Sequence, residues 1–224
     1  MGLRSRFVRR RKDRQTRCVV FVVTGIEVFD ASAPVVRALR AAGWRVPVVV
    51  TPVRDVSHVT SDGTFDLARV PEIWAQLEAQ GFAPEPIVRV EDEAERIRSF
   101  GPRAVFFPRP YAFERHESLD PKVLGVPAHY LNYGFDICPT MPGIGYGDLS
   151  FYGECEAVYS ENEYYTNQLI RAGVDPGKIV KSGQPILDRW DVDWPRAEQP
   201  TILWCPWWST RWDDTATELL GRQA

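Results

Sequence analysis

Apolar, strand-like segments alternate with amphipathic, helix-like segments along most of this sequence. Residues 17–24 form a continuous apolar run rich in β-branched residues, which is typical of a strand covered on both faces in a parallel sheet. A helix is predicted next, with Asp30 or Ser32 as its cap and Pro34 in its first turn. Residues 44–51 predict a second strand, so these three elements form a βαβ unit with a right-handed crossover.

The same alternation continues toward residue 187. Further helices are predicted at 70–80, 91–100 and 161–172. Further strands are predicted at 86–90, 104–107, 129–132, 157–160 and 178–182. This order predicts an α/β domain over residues 17–187, with a Rossmann-like, doubly wound parallel sheet.

The pattern changes after this domain. Residues 188–200 combine charges, tryptophans and prolines without periodicity, which predicts a linker. Residues 201–206 predict a new strand, followed by a polar, helix-prone segment. That strand either returns to the first sheet or opens a second domain. We expect the second alternative, with residues 201–224 as the start of a truncated domain.

Basic residues are concentrated at the amino terminus. Residues 1–17 hold eight arginines and lysines and one acid, whereas the whole chain has 27 basic and 30 acidic residues and a net charge of −3. This balance argues against a general nucleic-acid-binding protein. Residues 1–16 are expected to be a solvated, disordered leader, or to adhere to anionic lipid, where each basic residue adds about 1 kcal/mol.

Other compositional signals exclude several classes of site. No signal peptide or membrane span is predicted, so the expected location is cytoplasmic. If the basic tail adheres to lipid, the protein would also be peripheral on the inner face of the cell membrane. The four cysteines are interpreted as reduced and mostly packing. The cysteines and three histidines show no metal-ligand spacing, so neither a metal nor a cofactor is predicted.

Candidate binding residues directly follow the predicted strands, where open α/β sheets bind their ligands. Gly25 and Glu27 lie between the first strand and its helix, where free backbone amides favour an anion; a tight turn at Gly25 is the alternative. Arg109 and Tyr111 lie in a proline-rich loop, where simple loop packing is the alternative to a binding role. Arginine offers bidentate contact to phosphate or carboxylate, and tyrosine adds an apolar platform with a hydroxyl.

A further strand end carries three candidate residues. Asn132, Tyr133 and Gly134 follow the strand that contains His129. His129 and Tyr133 can each handle a proton, and a histidine satisfied within the strand is the alternative for His129. The glycine-rich loop at 140–148 is of the kind that closes over a substrate.

The last predicted strand of the domain ends in a turn of glycine and proline. Gly183 and Gln184 lie in this turn, just before the predicted linker. We interpret it as a hinge or as the wall of an interdomain cleft.

Four segments together resemble the CDP-glycerol glycerophosphotransferase-like family of bacterial wall and capsule polymer transferases. Residues 103–111 are similar to that family's PD-V-F-x-x-PY strand and loop, and residues 130–135 to its Y-I-P-Y-G-F segment. Residues 182–188 resemble its G-x-P-x-x-D turn, and residues 202–209 its I-W-A-P-H-W-S start of the second domain. Members of this family have two facing Rossmann domains, the GT-B arrangement.

The resemblance implies the amino-terminal, acceptor-side half of a transferase that makes a cell-envelope polymer such as teichoic acid or capsule. The whole enzyme would move a glycerophosphate or sugar unit from a cytidine- or uridine-diphosphate donor to a polyprenyl-linked or polymer acceptor. Arg109 and Tyr111 would lie near the acceptor phosphate and Tyr133 near the attacking hydroxyl, with binding roles for Asn132 and Gly134. The donor site lies mainly in the family's second domain, so the isolated chain is expected to be inactive.

The chain also departs from the family's pattern. Trp207 stands where many relatives have histidine, and residues 132–134 stand where other members have W-H-G. Catalytic residues are therefore not assigned.

Two other functions fit the sequence. One is a nucleotide-sugar 2-epimerase or another GT-B enzyme, which shares the sheet order. The other is a non-catalytic module whose tryptophan-rich end packs on a partner subunit. Burial against a missing second domain is the alternative for those tryptophans.

Overall fold

One parallel sheet runs through the part of the chain that this computed structural model describes, which is residues 17–51, 69–85, 92–109, 117–133 and 149–189. Its strands are β1 Val19–Val23, β2 Val48–Val50, β3 Pro84–Glu85, β4 Ala104–Phe107, β5 Ala128–Leu131, β6 Ala157–Ser160 and β7 Ile179–Lys181. The order is β3-β2-β1-β4-β5-β6-β7, and every neighbouring pair is parallel. Because the order reverses beside β1, the sheet is doubly wound and Rossmann-like.

Helices connect these strands, as parallel pairing requires. The described α-helices are α1 Ile26–Ala41, α2 Arg69–Ala79, α3 Glu93–Ser99, α4 Pro121–Leu124, α5 Leu149–Glu154 and α6 Glu163–Arg171. Short 3-10 helices occupy Glu117–Leu119, Pro176–Lys178 and Pro185–Arg189. Among these described helices, none combines the length and apolarity that crossing a membrane requires.

Two hydrophobic layers enclose the sheet, because neighbouring residues of a strand point to opposite faces. On the face covered by α1 and α2, the rings of Phe21 and Phe106 stack with 4.4 Å between centroids. On the face covered by α3 to α6, Phe107 packs edge-on against Phe151 of α5, at 5.7 Å. All five residues of β1 are buried, which confirms the predicted strand with both faces covered.

The predicted fold class is confirmed, and strands lie within or overlap the predicted segments 17–24, 44–51, 104–107, 129–132, 157–160 and 178–182. Strands β4 and β6 begin and end at the predicted residues, and the three later predicted helices are correct to within two residues at each end. The strand predicted at 86–90 lies outside the described residues, and β3 precedes it. Helices α4 and α5 are not predicted, because 4 and 6 residues are too few to show a helical repeat.

The predicted start of α1 is wrong. The helix begins at Ile26, with Gly25 as its cap, and Asp30, Ser32 and Pro34 all lie inside it. Val28 and Phe29 of the first turns are fully buried, so packing against the sheet starts the helix four to six residues before the polar caps. Pro34 costs the helix one hydrogen bond, because it has no N–H to donate to the carbonyl of Asp30.

The chain divides into two compact units, Met1–Trp190 and Asp191–Ala224. All described residues belong to the first unit, so the predicted tail at 1–16 and the predicted domain start at 201–224 lie outside them and stay predictions. The predicted linker lies outside them from residue 190 onward. Its first two residues, 188 and 189, belong to the 3-10 helix Pro185–Arg189, which contacts α1.

Removing the ring of Phe107 tests how strongly the layered core holds the fold. Because Phe107 is 1% exposed, we expect Phe107→Ala to lower the free energy of unfolding by about 3–5 kcal/mol. Guanidinium unfolding followed by circular dichroism measures this change. The matched control is Val123→Ala, whose side chain is 53% exposed and whose effect should stay within about 0.5 kcal/mol. Equal losses in the two variants would contradict the core assignment.

Candidate functional site

The carboxyl ends of the strands bring the candidate residues to one edge of the sheet. Because all seven strands are parallel, the residues that follow them lie at the same edge. Thr24 and Gly25 follow β1, Arg109 follows β4 at one residue's distance, and Asn132 and Tyr133 follow β5. Strands β1 and β4 are neighbours at the reversal of strand order, which is where ligands bind in open α/β sheets.

Arg109 and Tyr133 are in direct contact at this edge. The guanidinium carbon Cζ of Arg109 lies 5.0 Å from the centroid of the Tyr133 ring, a cation–π contact. The contact follows from the register, since β4 and β5 pair Phe107 with Tyr130 and both chains continue past that pair. Both side chains are half-buried. A guanidinium held against a ring can bind phosphate or carboxylate with two N–H groups in its plane.

Gly25 is the cap residue of helix α1 at the same edge. Its carbonyl accepts the N–H of Phe29 at 3.1 Å, so the amides of residues 26–28 precede the first intrahelical donor. Free amides and the helix dipole favour an anion there. Gly25 is buried and extended, with φ −165° and ψ 156°. The structure therefore does not show the tight turn that was the alternative.

For three other predicted residues, the structure describes only the backbone position or nothing. Glu27 lies in the first turn of α1. Tyr111 and Gly134 lie outside the described residues, so their binding roles stay predictions.

Two threonine hydroxyls that sequence reasoning missed lie beside the start of α1. Thr24 and Thr51 directly follow β1 and β2, whose last residues Val23 and Val50 are paired. Both threonines are buried, and within the described part of the chain neither Oγ1 has a hydrogen-bond partner. The sequence feature that could have identified them is a threonine at the end of each of the first two apolar runs. Two buried hydroxyls therefore mark the edge where β1, β2 and α1 meet.

The turn after β7 folds back onto the end of β6. Gly183 has φ 76°, a left-handed conformation that favours glycine. Gln184 is 6% exposed, and its Nε2 donates to Oε2 of Glu161 at 3.3 Å. The structure thus gives Gln184 a protein partner, while its predicted contact with a ligand stays a prediction.

Glu161 is a further residue that sequence reasoning missed. It was assigned to a helix, yet α6 begins at Glu163 with Asn162 as its cap, whose Oδ1 accepts the N–H of Tyr165 at 2.7 Å. Glu161 is consequently left in the loop directly after β6, half-exposed at the carboxyl edge. Gln184 holds its carboxylate at the carboxyl end of β6, the strand next to β5.

His129 lies within β5. Its Nδ1 is 3.1 Å from the hydroxyl of Tyr159, and its ring lies 5.0 Å from that of Phe106. Burial lowers the pKa of His129, and the negative charge of Glu156 opposes this shift. His129 is therefore the satisfied histidine within a strand that the sequence left as an alternative, on the sheet face that carries Phe106.

Comparison with known proteins identifies similar solved structures. The UDP co-structure of Staphylococcus aureus MnaA is similar with a TM-score of 0.55 and 12% identity, covering 82% of this chain and 50% of that chain. The UDP-GlcNAc 2-epimerase of Neisseria meningitidis, bound to UDP-GlcNAc, gives 0.55 and 14%, covering 76% and 48%. The fold is that of a GT-B-type Rossmann domain.

This chain spans about half the length of these two structures. At 12–14% identity the likeness concerns the fold alone. No protein-family model matches the chain, and no curated protein matches it either.

The stability of this GT-B-type domain should depend on the protonation of His129. Burial lowers the pKa of His129 in the folded chain below its ordinary value of about 6.5. The unfolded chain therefore takes up a proton first as the pH falls. The contribution of His129 to stability is present above pH 6.5 and is lost between 6.5 and the folded pKa.

Urea unfolding at pH 7.5 and pH 5.5 measures this dependence. We expect the loss of unfolding free energy between the two pH values to be smaller in His129→Gln than in the parent chain. His58 and His116 are present in both proteins, so the difference belongs to His129. The same loss in both would show that burial of His129 does not favour its neutral form.

Proposed function

We propose that this chain is the acceptor-side domain of a GT-B-type transferase that uses a nucleotide-diphosphate donor in the synthesis of a cell-envelope polymer. The contact between Arg109 and Tyr133 carries the proposal. It supplies a cation and a phenol together at the carboxyl edge, after β4 at the reversal of strand order and after its neighbour β5. The fold shared with structures that hold UDP and UDP-GlcNAc supports a nucleotide-sugar or related donor.

Arg109 would bind a phosphate of the acceptor. The Tyr133 ring restrains the guanidinium, so less side-chain freedom is lost when the phosphate binds. The attacking acceptor hydroxyl would then lie near the phenol of Tyr133. Its oxygen forms the new bond to the transferred group, the bond from that group to the nucleotide breaks, and the hydroxyl proton passes to a base.

Such a reaction depends on positioning and on cationic or helix-terminal groups that stabilise the leaving nucleotide. The resemblance to the CDP-glycerol glycerophosphotransferase-like family assigns the donor mainly to a second domain. An isolated acceptor-side domain would accordingly bind its acceptor without turning over the donor.

A UDP-sugar 2-epimerase is the second candidate, and the matching epimerase structures favour it. An epimerase inverts one carbon of its nucleotide sugar and needs no acceptor, so it differs from a transferase in the ligands it binds. The non-catalytic module rests on the tryptophan-rich end, which lies outside the described residues and stays a prediction.

Titration calorimetry of the chain distinguishes these candidates. The acceptor probes are glycerol 3-phosphate and a short-chain polyprenyl phosphate, and the donor probes are CDP-glycerol and UDP-GlcNAc. We expect heat from an acceptor probe. In Arg109→Gln we expect affinity for it to fall about 10- to 100-fold, because a charge-assisted hydrogen bond contributes about 1.5–3 kcal/mol.

Two further variants sharpen the measurement. Tyr133→Leu removes the ring beneath the guanidinium and should weaken binding, with a smaller effect than Arg109→Gln. Lys181→Gln is the matched control, since it removes one exposed positive charge at the end of β7, on the same edge. Heat from UDP-GlcNAc and none from the acceptor probes would favour the epimerase and contradict the acceptor-side assignment.

A further inference from the structure

Three arginines lie side by side at the opposite, amino edge of the sheet. Arg17 and Arg45 adjoin at the beginnings of β1 and β2, where the N–H of Arg45 donates to the carbonyl of Arg17 at 2.9 Å. Arg103 directly precedes β4, and its N–H donates to the carbonyl of Cys18 at 2.8 Å. All three are exposed. We call this surface the arginine edge.

Sheet geometry keeps these arginines together. Strands β2, β1 and β4 are consecutive in the sheet, and neighbouring strands are about 4.8 Å apart. The three backbones are therefore within about 10 Å of one another, which is about one Debye length at 0.1 M salt. Arg45 is also restrained, since its Cζ lies 5.1 Å from the ring of Phe100. The arginine edge thus presents a local positive potential on a rigid frame.

The basic tail joins the folded domain at the same place. Residues 1–16 hold seven further arginines and lysines and are covalently attached to Arg17. Residues 18–224 hold 19 basic and 29 acidic residues, a net charge of −10, whereas residues 1–17 have a net charge of +7. Positive charge is therefore concentrated in residues 1–17, while the rest of the sequence is acidic. Within the described residues, Arg45 and Arg103 lie beside Arg17 at the amino edge.

This distribution fits a flat anionic surface better than a nucleic acid. A polyanion that wraps around a protein needs a basic face across the folded body, whereas a membrane is approached from one side. Leu3, Phe7 and Val8 alternate with the arginines of the tail. Apolar side chains among basic ones are typical of segments that insert into the interface of an anionic bilayer.

We propose that the arginine edge is the surface on which this protein docks to an anionic lipid membrane, with the basic tail extending the contact. The folded domain itself contributes, through Arg17, Arg45 and Arg103. The strands then point away from the bilayer, and the carboxyl edge faces the aqueous side. This docking does not depend on the proposed transferase activity, because it is measured without any substrate.

Sedimentation with vesicles tests the proposal. The vesicles contain three parts phosphatidylcholine to one part phosphatidylglycerol, and vesicles of phosphatidylcholine alone serve as the neutral reference. Each basic residue near an anionic surface contributes about a fivefold factor in affinity. We therefore expect Arg17→Gln, Arg45→Gln and Arg103→Gln together to weaken binding up to about 100-fold. The same three sites changed to lysine should retain most of the binding.

A second triple variant controls for total charge. Arg37, Arg171 and Lys181 are exposed, and none of them begins a strand. Changing these three to glutamine removes the same charge and should weaken binding about threefold or less. Circular dichroism and unfolding curves of both triple variants show that they are folded.

A chain that begins at Arg17 isolates the contribution of the folded domain. It should bind more weakly than the full chain and should lose its remaining binding when the three arginines are changed. Equal binding by the two triple variants would overturn the proposal, and so would equal binding of the protein to neutral and anionic vesicles. In a competition experiment, a single-stranded RNA that releases the bound protein at a lower concentration than added anionic vesicles do would also overturn it.

Discussion

Parallel pairing of β1 with β2 on one side and β4 on the other is the constraint on which the rest of the structure depends. Parallel neighbours cannot be joined by a tight turn, so each connection is a crossover that places a helix on a face of the sheet. The reversal of strand order at β1 then sends helices to both faces. This explains why all five residues of β1 are buried and why two separate hydrophobic layers exist.

The same constraint creates two chemically different edges. Arg109, Tyr133 and Glu161 follow strands at the carboxyl edge, whereas Arg17, Arg45 and Arg103 precede β1, β2 and β4 at the amino edge. The contact of Arg109 with Tyr133 joins the loops of two adjacent strands, and the bond from Gln184 to Glu161 joins the next two. A candidate site built in this way rests on neighbouring strands, so its side chains are held by the sheet rather than by the loops alone.

Much of this fold could be predicted because buried parallel strands appear in the sequence as continuous apolar runs. The bounds of β4 and β6 follow from such runs alone. Local rules failed where tertiary packing decided the outcome. The start of α1 is set by burial of Phe29, and a capping rule that considers only polar residues places it too late.

The candidate site was predicted less completely. Arg109 and Tyr133 could be found because each follows a strand, and parallel pairing makes such residues neighbours. Glu161 could not, because its role in the loop depends on Asn162 capping the next helix and on the returning turn at Gln184. Hydrogen bonds between loops that are 23 residues apart leave no periodic signal in a sequence.

The short strands of this sheet set a distance with a chemical consequence. Five residues of β1 span about 16 Å, which separates the arginines of one edge from Arg109 at the other. If the first edge rests on lipid headgroups, a phosphate embedded among those headgroups lies too far away to meet Arg109. The guanidinium would instead select a phosphate within a growing chain that has already extended outward from its anchor. The thickness of the domain would then set the minimum length of its acceptor.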